Sequence, residues 1–329
     1  MIEQYLAYGI WVAIVFIIAG FVALVKGADW LVDGASSIAK NFGISDLVIG
    51  LTVVAFGTSM PEFVVNMVSV AEGTTDLAIT NILGSNIINT FVILGLTALV
   101  YPVASQKRSR DFDIPLSIVA GVMVIVFVAI QLPIGEDMRG IGRIGGATLL
   151  AFFCYFLYNT FRHAKDHPEE TDAEAVKLIP TRRAIALILG GFVGLVVGGE
   201  LIVKSAVDIA TRMGVSEAII GLTIVALGTS LPELATSVIA ATKHNSDIAL
   251  GNVIGSNIFN VFFVLGVSAT VRPLPAYQGI ELDAIMAALG SIVVWLAIKS
   301  NKERKVQRWA GALLVLIYVG YLTYRLLQV

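Results

Sequence analysis

The sequence predicts an all-α membrane protein of about ten transmembrane helices, arranged as two inverted five-helix repeats with the N-terminus and C-terminus outside. Three observations predict it. Of 329 residues, 57% are hydrophobic and only 14% charged, with a mean hydropathy of +0.86, too few charges to cover a soluble surface. Runs such as Gly9 to Val25 and Ile114 to Leu132 hold no ionised side chain and are long enough to cross the roughly 30 Å hydrocarbon core as helices. Finally, Gly43 to Pro102 aligns without a gap onto Gly214 to Pro273 at a constant offset of 171 residues, with nearly half of the positions identical.

Reading apolar stretches against Pro, Gly and charged breaks places the spans in order. The first, Tyr8 to Asp33, follows an N-terminus whose first charge is Glu3 and which lacks a basic region and a small-residue cleavage site, so it reads as a retained span and not a signal peptide. Ser45 to Ala71 and Asp76 to Tyr101 follow, separated by a short polar turn. Phe112 to Leu132 and Ile141 to Arg162 complete the first half. The polar stretch from His163 to Pro180 divides the chain: 1–163 is expected to be the first repeat, 164–180 a cytoplasmic connector, and 181–329 the second repeat. Arg183 to Asp208, Ser216 to Ala241 and Asp247 to Val271 restate the first three spans, and Ile280 to Lys299 and Val306 to Leu327 close the chain.

Orientation follows from Lys and Arg. With the N-terminus outside, the cytoplasmic loops collect most of the 22 basic residues, including Lys107, Arg108, Arg110, Lys243 and the run from Lys299 to Arg308. The outer side keeps Arg139, Arg143, Arg212, Arg272 and Arg325. Five spans per half is an odd number, so the second copy is inverted. Inverted repeats of this kind mark transporters, whose ion sites lie near the midplane where the halves meet. The net charge of −2 gives no sign of nucleic-acid binding, and the single Cys154 excludes an intrachain disulfide.

The most similar stretches are also the least suited to lipid. Ala55-Phe56-Gly57-Thr58-Ser59-Met60-Pro61-Glu62 recurs as Ala226-Leu227-Gly228-Thr229-Ser230-Leu231-Pro232-Glu233. Gly84-Ser85-Asn86-Ile87-Ile88-Asn89 recurs as Gly255-Ser256-Asn257-Ile258-Phe259-Asn260. Pro61 lacks an N–H, which frees the Gly57 carbonyl, and Pro232 does the same for Gly228. Thr58 and Glu62, Ser85 and Asn89, and their copies are spaced i,i+4 and share helix faces. Four such faces make a cage of carboxylate, hydroxyl, amide and carbonyl oxygens. Hard oxygen ligands favour calcium, sodium or magnesium over zinc or copper, and a dry cage suits calcium better than magnesium. Two glutamates balance one Ca²⁺, and protons compete for the same carboxylates. An intramembrane carboxylate costs about 3 kcal/mol or more to insert, which argues for function at Glu62 and Glu233.

At these residues the chain resembles the calcium/cation antiporter superfamily, and within it the sodium/calcium exchangers of prokaryotic type. The resemblance implies an electrogenic antiporter, not an enzyme, that exchanges Na⁺ for Ca²⁺ by alternating access and needs no cofactor. It implies calcium ligands at Glu62 and Glu233, with the carbonyls of Thr58 and Thr229. It implies sodium ligands at Ser59, Ser230, Ser85 and Ser256, with the carbonyls of Ala55 and Ala226, and a central site completed by Asn89 and Asn260. Potassium-dependent relatives place an aspartate where this chain has Asn260, so no potassium requirement is expected. The short connector implies that large regulatory domains are absent and, by analogy, suggests a prokaryotic plasma membrane. No obligate protein partner is evident. A proton/calcium antiporter would use the same glutamates, and a cation channel would conduct without a counter-ion.

The remaining polar residues have plainer expectations. Asp29 and Asp33, with Lys26 nearby, and the i,i+4 pair Glu200 and Lys204 read as local ion pairs or interfacial anchors. Asp76 and Asp247 read as helix caps. Asn86 and Asn257 stitch helices together or touch ions. His163, His167 and His244 fall in loops, which leaves an intramembrane hydrolase without a catalytic dyad.

Overall fold

The computed structural model describes residues 9–129, 139–166, 179–214, 226–277 and 279–327. The two long helices α1 (Ile10–Phe42) and α7 (Thr181–Arg212) have 33 and 32 residues, about 50 Å each at 1.5 Å per residue. Both outrun the hydrocarbon core and so tilt or project from it. The sequence ends the first span at Asp33, but α1 continues to Phe42 and stops at Gly43, whose φ of 63° is left-handed. A charge ends an apolar run but not a helix, since Asp costs only a few tenths of a kcal/mol in a helix interior, and Asp33 pairs with Lys243 at 2.6 Å. The two helices run antiparallel in close contact. A Cβ added at Gly20, Gly27 or Gly34 would lie 2.8, 2.8 and 2.7 Å from the carbonyl oxygens of Gly198, Gly191 and Ala184.

Between them in sequence, α2 (Asp46–Thr58) and α3 (Met60–Glu72) form a broken span bent by 45°. Then come α4 (Thr75–Val100), α5 (Ser109–Ala129) and α6 (Arg143–Asp166). In the second half, α8 (Ala226–Thr229) and α9 (Leu231–Thr242) are followed by α10 (Ser246–Val271), α11 (Ile280–Ser300) and α12 (Arg308–Leu326). Among the described residues eight helices are long and apolar enough to cross a membrane, or nine with the bent pair as one span. The expected seventh span, Ser216 to Ala241, begins outside the described residues, and its described part is α8 and α9.

The centre is α4 and α10, with 78% and 94% of their most apolar stretch buried against 22% for α1 and α12. The two run in opposite directions. Tyr101, at the end of α4, meets His244, just before α10, with ring centroids 4.4 Å apart. Arg272, just past α10, reaches the Val70 carbonyl beside the start of α4. Asp76 and Asp247 lie in first turns as expected, but the capping side chain of α10 is Asn245, which accepts from the Ile248 N–H at 3.0 Å.

Four two-residue strands tie the halves together. β1 (Val103–Ala104) pairs antiparallel with β4 (Lys305–Val306), and β2 (Gly140–Ile141) pairs antiparallel with β3 (Leu274–Pro275). Each pair takes one strand from each half of the chain.

Candidate ion-binding site

The two proline motifs do more than kink their helices. Ser59 leaves helical geometry at φ −85°, ψ 7°, and Ser230 does so at φ −88°, ψ 4°. Pro61 and Pro232 then sit in the first turn of a new helix, where a missing N–H leaves nothing unpaired. The sequence expects one bent helix; the structure has two helices that restart, with Glu62 and Glu233 in the first turns of α3 and α9. Gly57 and Gly228 are glycines because α7 crosses their backbone. A Cβ at Gly57 would lie 1.9 Å from the Phe192 ring, and one at Gly228 would lie 2.3 Å from Val203.

Hydrogen bonds cross between the halves at this level, apart from the Ser85–Glu62 bond, which lies within the first half. Ser59 donates to Glu233 Oε1 at 2.9 Å, while Ser85 donates to Glu62 Oε1 at 3.3 Å. Asn89 donates to Asn257 Oδ1 at 3.2 Å, Asn260 to Asn86 Oδ1 at 3.1 Å, and Asn86 to the Asn257 carbonyl at 3.2 Å. Asn89 and Asn260 lie in π-helical turns, Ile88–Ile93 and Phe259–Leu265. Such turns add a residue per turn and recur at functional sites. Glu62 and Glu233 are 1% and 0% exposed, and they lie close enough to interact electrostatically.

Burial leaves several oxygens of the two motifs without hydrogen-bond partners: Glu62 Oε2, Glu233 Oε2, Asn89 Oδ1, Asn260 Oδ1, Thr229 Oγ1, Ser230 Oγ and Ser256 Oγ. Neither glutamate has a basic partner among the described residues. Two buried carboxylates without a counter-charge are costly, and a cation among these oxygens would relieve that cost. No group of three His, Cys, Asp or Glu gathers among the described residues. The donor set is therefore oxygen from carboxylate, amide and hydroxyl, which fits sodium or calcium.

The family model described as "Sodium/calcium exchanger protein" matches residues 12–162 and again 183–327, one match for each half. The chain belongs to the sodium/calcium exchanger family. It is 31% identical over 337 residues to the sodium/calcium exchanger MaX1 of Methanosarcina acetivorans, covering 93% of this chain and 96% of that one. It is 36% identical over 266 residues to the inner membrane protein YrbG of Escherichia coli, covering 79% and 80%. A solved structure of the sodium-calcium exchanger NCX_Mj, soaked with 10 mM Na⁺ and zero Ca²⁺, superposes with a TM-score of 0.80 at 31% identity, covering 94% of this chain and 98% of that one. Membership makes this exchanger-family chain a multi-pass membrane transporter and not an enzyme, and supports cation/Ca²⁺ antiport.

Most of the residues singled out in the exchanger motifs meet in this layer: Glu62, Glu233, Ser59, Ser85, Asn89 and Asn260 through the bonds above, and Thr229 beside Glu62. Thr58 turns its hydroxyl to Asn252 Oδ1 at 3.0 Å. Ser230 and Ser256 are buried with their hydroxyls unpartnered. The Ala55 carbonyl already accepts from the Ser59 N–H at 3.0 Å and the Thr58 hydroxyl at 3.3 Å. Ala226 opens α8 at the edge of the described residues. Asn86 and Asn257 do stitch helices, and across the two halves. Glu200 and Lys204 pair at 2.7 Å as expected. Asp29 and Asp33 do not pair locally: both bind Lys243, at the end of α9, at 2.6 Å.

Sequence reasoning missed Asn81, Asn252, Asn66 and Ser237. Asn252 donates to the Glu233 carbonyl at 3.2 Å and to Ser237 at 3.0 Å; Asn81 donates to the Glu62 carbonyl at 3.4 Å and to Asn66 Oδ1 at 2.8 Å. The signal was present. Asn81, Ser85 and Asn89 are spaced i, i+4, i+8, as are Asn252, Ser256 and Asn260.

The two ends of this exchanger fold differ. A cavity of about 290 Å³ reaches Ser85 and Thr229 from the end where α3 and α12 finish, past Asn81, Val65 and Ser69. Val64 and Val65 on α3 are 53% and 40% exposed, while their counterparts Ala235 and Thr236 on α9 are 9% and 0% exposed. Correspondingly α9 lies along α1, whereas α3 makes no comparable contact with α7.

Proposed function

We propose that the protein exchanges Na⁺ for Ca²⁺ across a membrane by alternating access, electrogenically and without a potassium requirement. Ca²⁺ sits between Glu62 and Glu233, with the carbonyls of Thr58 and Thr229. Sodium ions take Ser59, Ser85, Ser230 and Ser256 with the carbonyls of Ala55 and Ala226, and Asn89 and Asn260 complete the central site. The carrying observation is that two buried, unneutralised carboxylates, one from each half, are each held by a serine while their second oxygens stay unpartnered. Na⁺ and Ca²⁺ compete for the same two carboxylates, and that mutual exclusion couples the fluxes.

The arrangement we infer is ten spans in two inverted repeats, 1–163 and 181–329, with 164–180 as a cytoplasmic connector, both termini outside and the chain in a prokaryotic plasma membrane. Opposite running of α4 and α10 and the separate family match of each half support the inversion. Asn260 in place of an aspartate supports potassium independence, since it removes one negative charge from the central site. The cavity that ends at Ser85 and Thr229 supports a state open at the end of α3.

The test is radioactive calcium uptake into proteoliposomes loaded with sodium and diluted into buffer free of sodium and potassium. Uptake that needs the outward sodium gradient and is indifferent to added potassium is expected. Uptake driven only by a proton gradient would overturn the sodium assignment in favour of proton/calcium exchange, and calcium flux independent of any counter-ion would make the protein a channel.

A further inference from the structure

Asn81 and Asn252 occupy equivalent places, one turn before Ser85 on α4 and before Ser256 on α10, yet their hydrogen bonding differs. Asn252 is 0% exposed and makes three side-chain hydrogen bonds. Its amide donates to the Glu233 carbonyl at 3.2 Å and to Ser237 Oγ at 3.0 Å, while its Oδ1 accepts from Thr58 Oγ1 at 3.0 Å. That knot joins α10 to α9 and to α2, which belongs to the other half. Asn81 makes the first two of these bonds, to the Glu62 carbonyl at 3.4 Å and to Asn66 Oδ1 at 2.8 Å. The third would come from Thr229, but Thr229 Oγ1 makes no hydrogen bond to Asn81 and lies beside Glu62 instead. Thr229 and Asn81 both line the 290 Å³ cavity, on the open side of the molecule.

The threonine–asparagine bond is therefore made where the cleft is closed and absent where it is open. On the closed side α9 lies along α1 and Lys243 clamps Asp29 and Asp33. On the open side the cavity stands between the two partners. We infer that Asn81 and Asn252 are paired positioning residues of the ion site. Each holds the glutamate backbone of its own half, and each accepts the threonine hydroxyl of the other half only when the cleft on its side shuts. A buried hydroxyl needs a partner, and when the cavity closes around Thr229, Asn81 is the acceptor that its counterpart already demonstrates. Closure thus sets the direction of the Thr58 or Thr229 backbone as the ion is enclosed. The inference rests on the proposed reading of both motifs as one site with alternating access.

The test uses the full chain with Cys154→Ser and one reporter cysteine at a time, labelled by a thiol reagent on sided vesicles without Na⁺ or Ca²⁺. Val65→Cys reports the open cleft and Thr236→Cys its closed counterpart. Thr58→Val deletes the bond made in this state, so Val65→Cys labelling falls and Thr236→Cys labelling rises, by about two- to tenfold for one hydrogen bond. Thr229→Val deletes the bond of the opposite state, so Thr236→Cys labelling falls by a similar factor. Asn252→Ala is expected to follow Thr58→Val, and Asn81→Ala to follow Thr229→Val, which guards against one variant failing to fold. Shifts of the same sign from both threonines, or none from either, would overturn the inference, because a merely structural bond has no reason to act with opposite sign at equivalent positions. Labelling needs neither ion, so failure of the exchange assay sinks the sodium and calcium assignment and leaves this result readable.

Discussion

Ser59 donates a hydrogen bond to the Glu233 carboxylate at 2.9 Å, across 174 residues of sequence, whereas the equivalent hydroxyl, Ser230, has no partner. One half of a duplicated site is tied and the other is loose. The Gly-Thr-Ser and Pro-Glu residues of the two motifs are identical, yet their serines are bonded differently.

Replacing either glutamate removes half of the negative charge of the cage. Glu62→Gln and Glu233→Gln are each expected to reduce sodium-driven calcium uptake by at least about a hundredfold, the effect of losing one close charge partner worth roughly 3 kcal/mol. Both proteins are expected to elute as well-folded monodisperse species. Uptake near the wild-type rate from either would remove that residue from the ion path.

Ser59 and Ser230 separate stability from binding. Ser59→Ala loses a hydrogen bond to a carboxylate and is expected to lower stability by about 1.5–3 kcal/mol. Ser230→Ala loses no such bond and is expected to stay within about 0.5 kcal/mol. Both are expected to raise the sodium concentration that half-saturates exchange, since both hydroxyls are proposed sodium ligands. Thermal denaturation and sodium titration of the two variants together check this, and an unchanged sodium response in both would exclude the ligand role.

Gly57→Ala would drive a methyl group to within 1.9 Å of the Phe192 ring, so the ring or α7 must give way, at a cost of about 1–3 kcal/mol. Gly84 has nothing within 4 Å of an added Cβ, and Gly84→Ala is expected to leave Tm equal or higher because alanine favours the helix. A Tm loss at Gly84 comparable to that at Gly57 would contradict the close approach of α7 to the motif.

Lys243 holds Asp29 and Asp33 in partly exposed pairs, each worth up to about 1 kcal/mol. Lys243→Gln is expected to loosen α9 from α1 and to raise the thiol reactivity of Thr236→Cys about two- to fivefold. Asp29→Asn with Asp33→Asn is expected to do the same from the other side, and high salt is expected to mimic both. Insensitivity to all three would show that the clamp does not hold this cleft shut.

Much of this molecule is legible in its sequence, for identifiable reasons. Charge-free runs locate the helices, and the exact register of the repeat pairs Glu62 with Glu233. The end of α1 is misread because a charge marks the end of an apolar run, whereas the helix itself runs on to the left-handed Gly43. The π-helical turns at Asn89 and Asn260 are not legible: each follows directly on an α-helical segment in the same continuous helix, with no Gly or Pro inside the turn to mark the change. Proline marks a disturbance at Pro61 and Pro232, but spacing alone does not say whether the helix bends or restarts, which the non-helical Ser59 and Ser230 decide. Asn81 and Asn252 were visible in the i, i+4, i+8 stripe; what spacing alone does not carry is the Thr58 bond that gives Asn252 its use.

The crosswise strand pairs bear on biogenesis. β1 pairs with β4 and β2 with β3, and each pair spans the two halves. During synthesis the first half leaves the ribosome with Val103 and Ile141 lacking their partners Val306 and Leu274, so the β2–β3 seam has its second strand only after α10 and the β1–β4 seam only after α11. A truncated first half would leave those two backbone edges without the strands that pair with them.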